Sequence, residues 1–408
     1  MHITILALGS RGDIQPYATL GQGLKAAGHQ VRFVTFENFA ALVAENELDF
    51  HAIHGDAQSL VASAGADILA LMRSFGSLAE GYARDLSAPY LGETDLIINQ
   101  LPLGLYGFDL AEKYGVPLAL AAVIPLARTH AFPIMGFPKL LWPGYNKATY
   151  YLAEQMAWQM FRATINRWRK QTLALPPLPM AGYFSQLGTR HIPILNGFSQ
   201  HVVQRPSDWS EHIHITGYWF PKDRPWQPPA DLQAFIEAGP PPVFIGFGSM
   251  PLKDPSQTTA LILEALKQSG QRGILHAGWG GLGKQTLPDD VFKIDYAPYD
   301  WLFPRMGMVI HHGGSGTTAF GLRAGVPSGV VAFVFDQFYW GERVAELGVG
   351  PSPIRYTNLT VERLRDIIQL GVSNARMRQK ASELGQKIRA ENGIEIASHI
   401  IEKIVQVQ

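Results

Sequence analysis

The residues with the most chemistry in their arrangement run Val309-Ile-His-His-Gly-Gly-Ser-Gly-Thr-Thr-Ala319: an apolar strand, a turn rich in glycine and hydroxyls, and a helix start. The first N–H groups of a helix lack acceptors of their own and sit at the positive end of its dipole, so such a turn suits a phosphate or diphosphate. Gly314, Ser315, Gly316 and Thr317 would supply those groups, and His312 at the strand end a further donor. A core histidine satisfied by a carbonyl is the other reading of His312. Gly314-Ser-Gly316-Thr-Thr-Ala319 also fits the dinucleotide fingerprint G-x-G-x-x-A, with Asp336 about 20 residues on, which keeps an NAD-dependent dehydrogenase as an alternative of another class. Against it, Gln337 follows Asp336, and the first glycine turn of the chain, Gly9-Ser-Arg-Gly12, does not match the fingerprint. Gly278-Trp-Gly-Gly-Leu-Gly-Lys284-Gln285 approaches a P-loop but has Gln where the magnesium-binding hydroxyl belongs.

A carboxylate with chemical capacity stands in that first turn. Gly9-Ser10-Arg11-Gly12-Asp13 follows the first apolar run and opens a helix, at the carboxyl end of a strand where open α/β sheets bind ligands. Asp13 there is either an N-cap, worth about 1 kcal/mol, or a general base facing an interdomain cleft, with Ser10, Arg11 and Gly12 able to meet a phosphate from the opposite side. No metal site is expected: His51-Ala-Ile-His54 and His311-His312 lack companion carboxylates, and adjacent strand residues face opposite ways, so one of His311 and His312 at most reaches a cleft. The stretch from Pro125 to Trp168 is dense in aromatics, among them Phe132, Phe137 and Trp142. They either line an apolar acceptor pocket or pack a helical insertion.

The elements that must position these groups follow from periodicity. Ile3–Leu8 reads as a strand, Pro16–Ala27 as a helix and Val31–Thr35 as a second strand, a βαβ unit. Strands are also expected at Leu96–Asn99, Leu118–Val123, Val243–Gly246, Gly273–Ala277, Met308–His312 and Gly329–Phe333, which with the helical stretches between them makes parallel sheets covered on both faces. Residues 217–242 hold seven of the 28 prolines and read as a linker. The expected division is 1–217, a first α/β domain; 218–242, the linker; 243–380, a second α/β domain; and 381–408, a terminal helix striped by Ile394, Ala397, Ile401 and Ile404.

The 408 residues, with Lys plus Arg and Asp plus Glu both at 34, carry no net charge with which to hold nucleic acid or an anionic membrane. The absence of Cys removes thiol chemistry, disulfides and Cys-ligated metals. The opening Met1–Leu8 reads as a strand rather than a secretory leader, and the longest apolar stretch, Val116–Ala127, is shorter than the roughly 20 residues that cross a bilayer. A cytoplasmic enzyme without a stable membrane anchor is the expectation.

Assembled in order, these segments resemble the family-1 glycosyltransferases of the GT-B fold, above all the sterol glucosyltransferases and the bacterial antibiotic and glycolipid glycosyltransferases. The resemblance rests on Gly9-Ser-Arg-Gly-Asp-Ile-Gln-Pro16, Pro242-Val-Phe-Ile-Gly-Phe-Gly-Ser249, Ala277-Gly-Trp-Gly-Gly-Leu-Gly283, Ala297-Pro-Tyr-Asp-Trp-Leu-Phe303, His311-His-Gly-Gly-Ser-Gly-Thr-Thr318, Gly321-Leu-Arg-Ala-Gly-Val-Pro327 and Asp336-Gln337, and so spans the chain. It implies two Rossmann-like parallel-sheet domains facing a cleft, with a C-terminal helix crossing back to the first. It further implies an inverting, metal-independent transfer of a hexose from a nucleotide sugar, UDP-glucose above dTDP-sugars, to the hydroxyl of an apolar acceptor such as a sterol, triterpenoid, polyketide or lipid. No other cofactor is implied, and membrane contact would be transient.

Residue by residue, the resemblance makes Asp13 the base. His312, Ser315, Gly316 and Thr317 hold the diphosphate, with Ser249 near the same phosphates. Trp279 and Tyr296, Ala297 and Pro298 face the nucleobase, and Asp336 with Gln337 addresses sugar hydroxyls. Phe320 stands where plant members place the glutamate that binds ribose, a departure that bears on the choice between UDP and dTDP.

Overall fold

The structure, a computed structural model, describes residues 1–55, 81–82, 84–86, 93–101, 106–182, 184, 190–222 and 225–406. It divides into two units, Met1–Pro221 with Asn392–Gln408, and Lys222–Glu391.

The first unit is built on a parallel sheet of seven strands: β1 (His2–Leu6), β2 (Gln30–Phe36), β3 (Asp49–Ile53), β4 (Leu96–Gln100), β5 (Leu118–Ala122), β6 (Ile194–Asn196) and β7 (Ile213–Ile215). Their spatial order is β3-β2-β1-β4-β5-β6-β7. Near-continuous apolar runs such as Leu96-Ile97-Ile98 are what a sheet covered on both faces requires, and all three side chains are fully buried. Helix α1 (Arg11–Ala26) begins five residues before the periodicity suggests. The reason is local: Asp13 Oδ2 reaches back to accept from both the N–H and the hydroxyl of Ser10, each at 2.8 Å, the return half of a capping box that starts the helix upstream of Pro16. Among the described residues before the second unit, this sheet is accompanied also by α2 (Ala40–Glu45), α3 (Gly107–Tyr114) and α4 (Tyr145–Trp168). Arg169, just past α4, is buried against α3, where its guanidinium meets Asp109 at 2.5 Å and Glu112 at 3.1 Å.

The second unit carries six parallel strands, β8 (Val243–Gly246), β9 (Gly273–His276), β10 (Val291–Ile294), β11 (Met308–His311), β12 (Ser328–Ala332) and β13 (Ile354–Arg355), in the order β10-β9-β8-β11-β12-β13. Its helices are α5 (Ala230–Glu237), α6 (Pro255–Ser269), α7 (Tyr299–Leu302), α8 (Ser315–Ala324), α9 (Asp336–Glu346), α10 (Val361–Ser373) and α11 (Ala375–Arg389). One apolar core, around Ile245, Ile262, Leu266, Ile310 and Ile368, lies on one side of the sheet. Another gathers Leu232, Phe244, Ile274, Phe303 and Val309.

Two expected boundaries move. The linker at 218–242, of which residues 223 and 224 lie outside the described residues, is largely absorbed into the units. Trp219 is buried in the first, its Nε1 donating to Thr216 Oγ1 at 3.0 Å and its ring edge-on to Tyr17. Leu232 of α5 joins the core of the second. The boundary at 380/381 falls inside α11, which belongs to the second unit because Gly385 packs on Gly325 so tightly that a Cβ on Gly385 would lie 2.7 Å from Gly325 Cα. The chain turns at Asn392, whose Oδ1 accepts from Glu395 N, and helix α12 (Gly393–Gln406) packs in the first unit on α1. Ala397 and Ile401 are fully buried there, with Ile394 and Ile404 half-buried on the same stripe. Gly23 of α1 is the contact point: a methyl at that position would collide with Ile394 Cγ2. Gly23→Ala is therefore expected to cost about 1–3 kcal/mol through overpacking, against the gain in helix propensity that alanine brings elsewhere. Urea unfolding of the variant checks it, and a midpoint above that of the original protein would mean α12 can shift at no cost.

In each sheet the strand order reverses once, between β1 and β4 and between β8 and β11. Open α/β sheets bind ligands outside the carboxyl ends of the strands at such a reversal.

Candidate functional site

In the second unit the reversal brings together the segments after β8 and β11, whose ends pair in register, His311 beside Gly246. Strand alternation sends the two histidines opposite ways. His311 is fully buried under α8, and His312 is half-buried with its ring between two glycines. A Cβ on Gly248 would stand 3.0 Å from His312 Cε1, and one on Gly314 would stand 2.5 Å from His312 Nε2. Gly278 completes the enclosure. Its φ of +53° favours glycine, a Cβ there would strike the Gly248 carbonyl, and that carbonyl accepts from Trp279 N at 2.9 Å. His312 Nδ1 is buried without a partner. Burial, with His276 close by, lowers the His312 pKa to about 4, so near neutral pH the ring is an uncharged imidazole with one donor and one acceptor.

Helix α8 starts immediately beyond. Its N-cap is Gly314, extended and without a side chain to cap the helix, so the N–H groups of Ser315, Gly316 and Thr317 have no intrahelical acceptor. Thr318 turns its hydroxyl inward to the Gly314 carbonyl at 2.9 Å, which leaves Ser315 and Thr317 as the half-buried hydroxyls of the turn. Space beside Gly316 is open, with no atom within 4 Å of where a Cβ would sit.

Around this turn the structure places several of the other expected residues. Ser249 is half-buried in the β8 loop next to Gly248, and Trp279 is joined to the same loop by its backbone. Trp279 and Tyr296 are 47% and 61% exposed, flat rings open to a planar ligand. Ala297 is buried and Pro298 half-buried at the start of α7, where Tyr299 stacks on Phe303 and meets Phe320 edge-on. Phe320 thus belongs to the core and presents no polar atom to a ribose. Asp336 is half-buried at the first position of α9, after Phe335, an exposed non-glycine residue at φ +46°. Strain of that kind gathers at functional sites.

Gln337 has a different task from the one expected. Its side chain is buried, Oε1 accepts from Phe333 N at 2.7 Å and Val334 N at 3.1 Å, and Nε2 points at the Met250 sulfur at 3.2 Å. The amide is spent on the backbone that presents Asp336. Sequence reasoning also missed His276, at the end of β9, whose Nε2 lies 3.2 Å from the Asp295 carbonyl. Its place directly before Ala277-Gly278-Trp279 was the available signal.

Ser10, Arg11, Gly12 and Asp13 lie in the first unit at its own strand reversal. Gly9 takes φ +127°, and a Cβ there would stand 2.7 Å from Asp13 Oδ2, so only glycine lets the carboxylate fold back over the turn. Gln100, at the end of β4, ties the two sides together by accepting from Leu8 N at 2.6 Å and donating to the Asp13 carbonyl at 3.3 Å. Burial raises the Asp13 pKa from its ordinary value, opposed by the two Ser10 hydrogen bonds. Because its hydroxyl serves Asp13, Ser10 is a partner of the carboxylate before it is a phosphate ligand. Arg11 and Gly12 are exposed.

The aromatic stretch divides. Tyr150, Trp158 and Trp168 pack the core under α4, whereas Phe132 and Phe137 are half-buried in the irregular segment before it and Trp142 is 73% exposed. Among the described residues no three His, Cys, Asp or Glu side chains gather as metal ligands, and no helix is long and apolar enough to cross a membrane.

Comparison with known proteins bears out the fold. Residues 3–133 match the glycosyltransferase family 28 N-terminal domain, and residues 275–403 match the erythromycin biosynthesis protein CIII-like C-terminal domain. A sterol 3-beta-glucosyltransferase of Arabidopsis thaliana is 37% identical over 97% of this chain and 67% of its own length. One from Aspergillus terreus is 36% identical over 98% of this chain but only 30% of its own, so the chain spans about two thirds of the plant relative and under one third of the fungal one. Among solved structures, the glycosyltransferase of kitacinnamycin superposes with a TM-score of 0.77 at 21% identity, covering 99% of both chains. VinC, solved in complex with dTDP, gives 0.68 at 17% identity over the full length of both chains.

Proposed function

Because the chain belongs to the family of GT-B glycosyltransferases that includes the sterol 3-beta-glucosyltransferases, we propose that it moves a glucosyl group from UDP-glucose to the hydroxyl of a sterol or similarly bulky apolar alcohol, with inversion and without a metal ion. The observation that carries the reading is the turn at α8, where an uncharged, glycine-enclosed His312 stands beside three N–H groups without intrahelical acceptors.

In this reaction the acceptor oxygen attacks the anomeric carbon while the bond from that carbon to the diphosphate oxygen breaks. The electron pair leaves with the diphosphate, and the acceptor proton passes to the Asp13 carboxylate. The α8 turn and His312 stabilise the charge growing on the leaving group, work that a divalent cation does in other transferases. Asp13 takes the proton late, once the forming bond has acidified the hydroxyl, which suits a carboxylate base. Its raised pKa brings it nearer the working pH. Trp279 and Tyr296 offer the nucleobase exposed ring faces, Asp336 addresses sugar hydroxyls, and Phe132, Phe137 and Trp142 offer apolar contact to the acceptor.

A dTDP-sugar is the second reading. Phe320 gives the ribose no carboxylate, and the neighbour VinC was solved with dTDP. One assay separates these readings: UDP-glucose and dTDP-glucose are each offered with a sterol, a phenolic aglycone and a free sugar, in excess EDTA. Transfer from UDP-glucose to the sterol, unchanged by EDTA, is expected. Activity that vanishes with chelator and returns with magnesium would overturn the metal-free mechanism, and labelling of the free sugar alone would overturn the apolar acceptor.

A further inference from the structure

A second histidine lies buried beside the turn. His311 is fully enclosed between β11 and α8, and its two ring nitrogens are in unlike states. Nδ1 accepts from the N–H of Gly313 at 3.0 Å. Nε2, which must then carry the ring proton, is buried without a partner, 3.8 Å from where a Cβ on Gly321 would be. A buried N–H without an acceptor is a standing cost, and a phenylalanine or leucine would fill the space without it. A residue suited to packing alone would not be histidine. What imidazole adds at this place is the acceptor at Nδ1.

The bond lands on the residue where the anion turn changes direction. Gly313 has φ +93°, accessible to glycine alone, and a Cβ there would stand 2.7 Å from Val330 Cγ1 and 2.9 Å from the Gln337 carbonyl. Glycine removes the steric limits on this residue and so gives it freedom in both φ and ψ. Something else must hold it. The hydrogen bond from Gly313 N to His311 does so from the strand side, and it fixes the peptide plane between His312 and Gly313. Both the direction of the His312 side chain and the entry of Gly314 into α8 depend on that plane.

Resting on the donor-site reading above, we propose that His311 is a positioning residue for diphosphate binding: through Nδ1 it holds the 312–313 peptide so that His312 and the first N–H groups of α8 converge on the anion. It touches no substrate, and its effect is specific to the phosphates, because the nucleobase contacts assigned to Trp279 and Tyr296 lie on other loops. The imidazole is well suited to the task, since burial, with His312 adjacent, lowers its pKa to about 3 and Nδ1 stays an acceptor at every working pH.

The test compares His311→Phe, which keeps a ring but no acceptor, with His311→Asn, whose Oδ1 is bonded to Cγ as Nδ1 is. UDP and uridine are titrated calorimetrically into each, with dTDP and thymidine in parallel. His311→Phe is expected to weaken UDP about 10-fold, the scale of one hydrogen bond lost from a buried array, and to leave uridine within about 2-fold. His311→Asn should recover most of the UDP affinity. Should the phenylalanine variant fail to fold, His311→Leu against His311→Asn makes the same comparison. Undiminished UDP binding in His311→Phe, or equal losses for UDP and uridine with no recovery by asparagine, would overturn the positioning role. An original protein that binds neither UDP nor dTDP would remove the donor-site reading itself, a result distinct from either.

Discussion

Asp13→Asn is expected to lower turnover by about 10²-fold or more, the scale of a lost general base, while leaving the fold and nucleotide affinity as they are. The substitution is nearly isosteric, and an amide oxygen can still accept the Ser10 N–H that the carboxylate now accepts at 2.8 Å, so α1 keeps its start. What disappears is the capacity to take a proton. The pH profile of the unaltered protein gives an independent check. Burial raises the Asp13 pKa above the ordinary 3.8, so kcat/KM should fall on the acid side as the carboxylate protonates, at a pH above that of an exposed aspartate. Ser10→Ala removes one of the two hydrogen bonds that favour the ionised form, so the acid limb should move to still higher pH. An Asp13→Asn protein that turns over within a few-fold of normal would leave Asp13 as a helix cap only.

His312→Ala is expected to have the next largest effect, weakening UDP binding about 10-fold and lowering kcat as well, because a donor to the leaving diphosphate gains strength as charge develops there. The ring occupies the space between Gly248 and Gly314, and its removal also frees two glycine-bearing loops to move. His312→Gln separates the two contributions, since it restores a neutral donor without the ring. The ring's pKa, lowered to about 4, means that the contact is made by an uncharged imidazole across the neutral range. Donor affinity should therefore not fall between pH 6 and pH 8, where an ordinary exposed histidine near pKa 6.5 would lose its charge. Unaltered UDP affinity together with a normal rate in His312→Ala would make His312 a packing residue.

The architecture, and the turns that make up the candidate site, were legible in the sequence. Unbroken apolar runs such as Leu96-Ile97-Ile98 and Val309-Ile310, rich in branched residues and bounded by turns, read as strands covered on both faces, and β8 lies where the pattern puts it, Val243–Gly246. The glycine turns after β1 and β11 were legible because helix starts and positive φ angles leave a compositional trace at fixed spacing. Alternation along a strand was enough to foresee that His311 and His312 face opposite ways. The division of work within the site was decided only by tertiary contacts. Nothing local to Gln337 says that its amide is consumed by Phe333 and Val334, nor that Gly278 is glycine because the Gly248 carbonyl lies against it. The aromatics before and along α4 could not be sorted by type, since Trp158 in the core and Trp142 at the surface differ in what lies opposite them. The junction at Asn392 escaped the pattern for a similar reason. α11 and α12 are both amphipathic, and which unit each joins depends on which surface offers a complementary face, Gly325 for one and Gly23 for the other. Periodicity is a property of a segment, whereas a partner is a property of the folded chain.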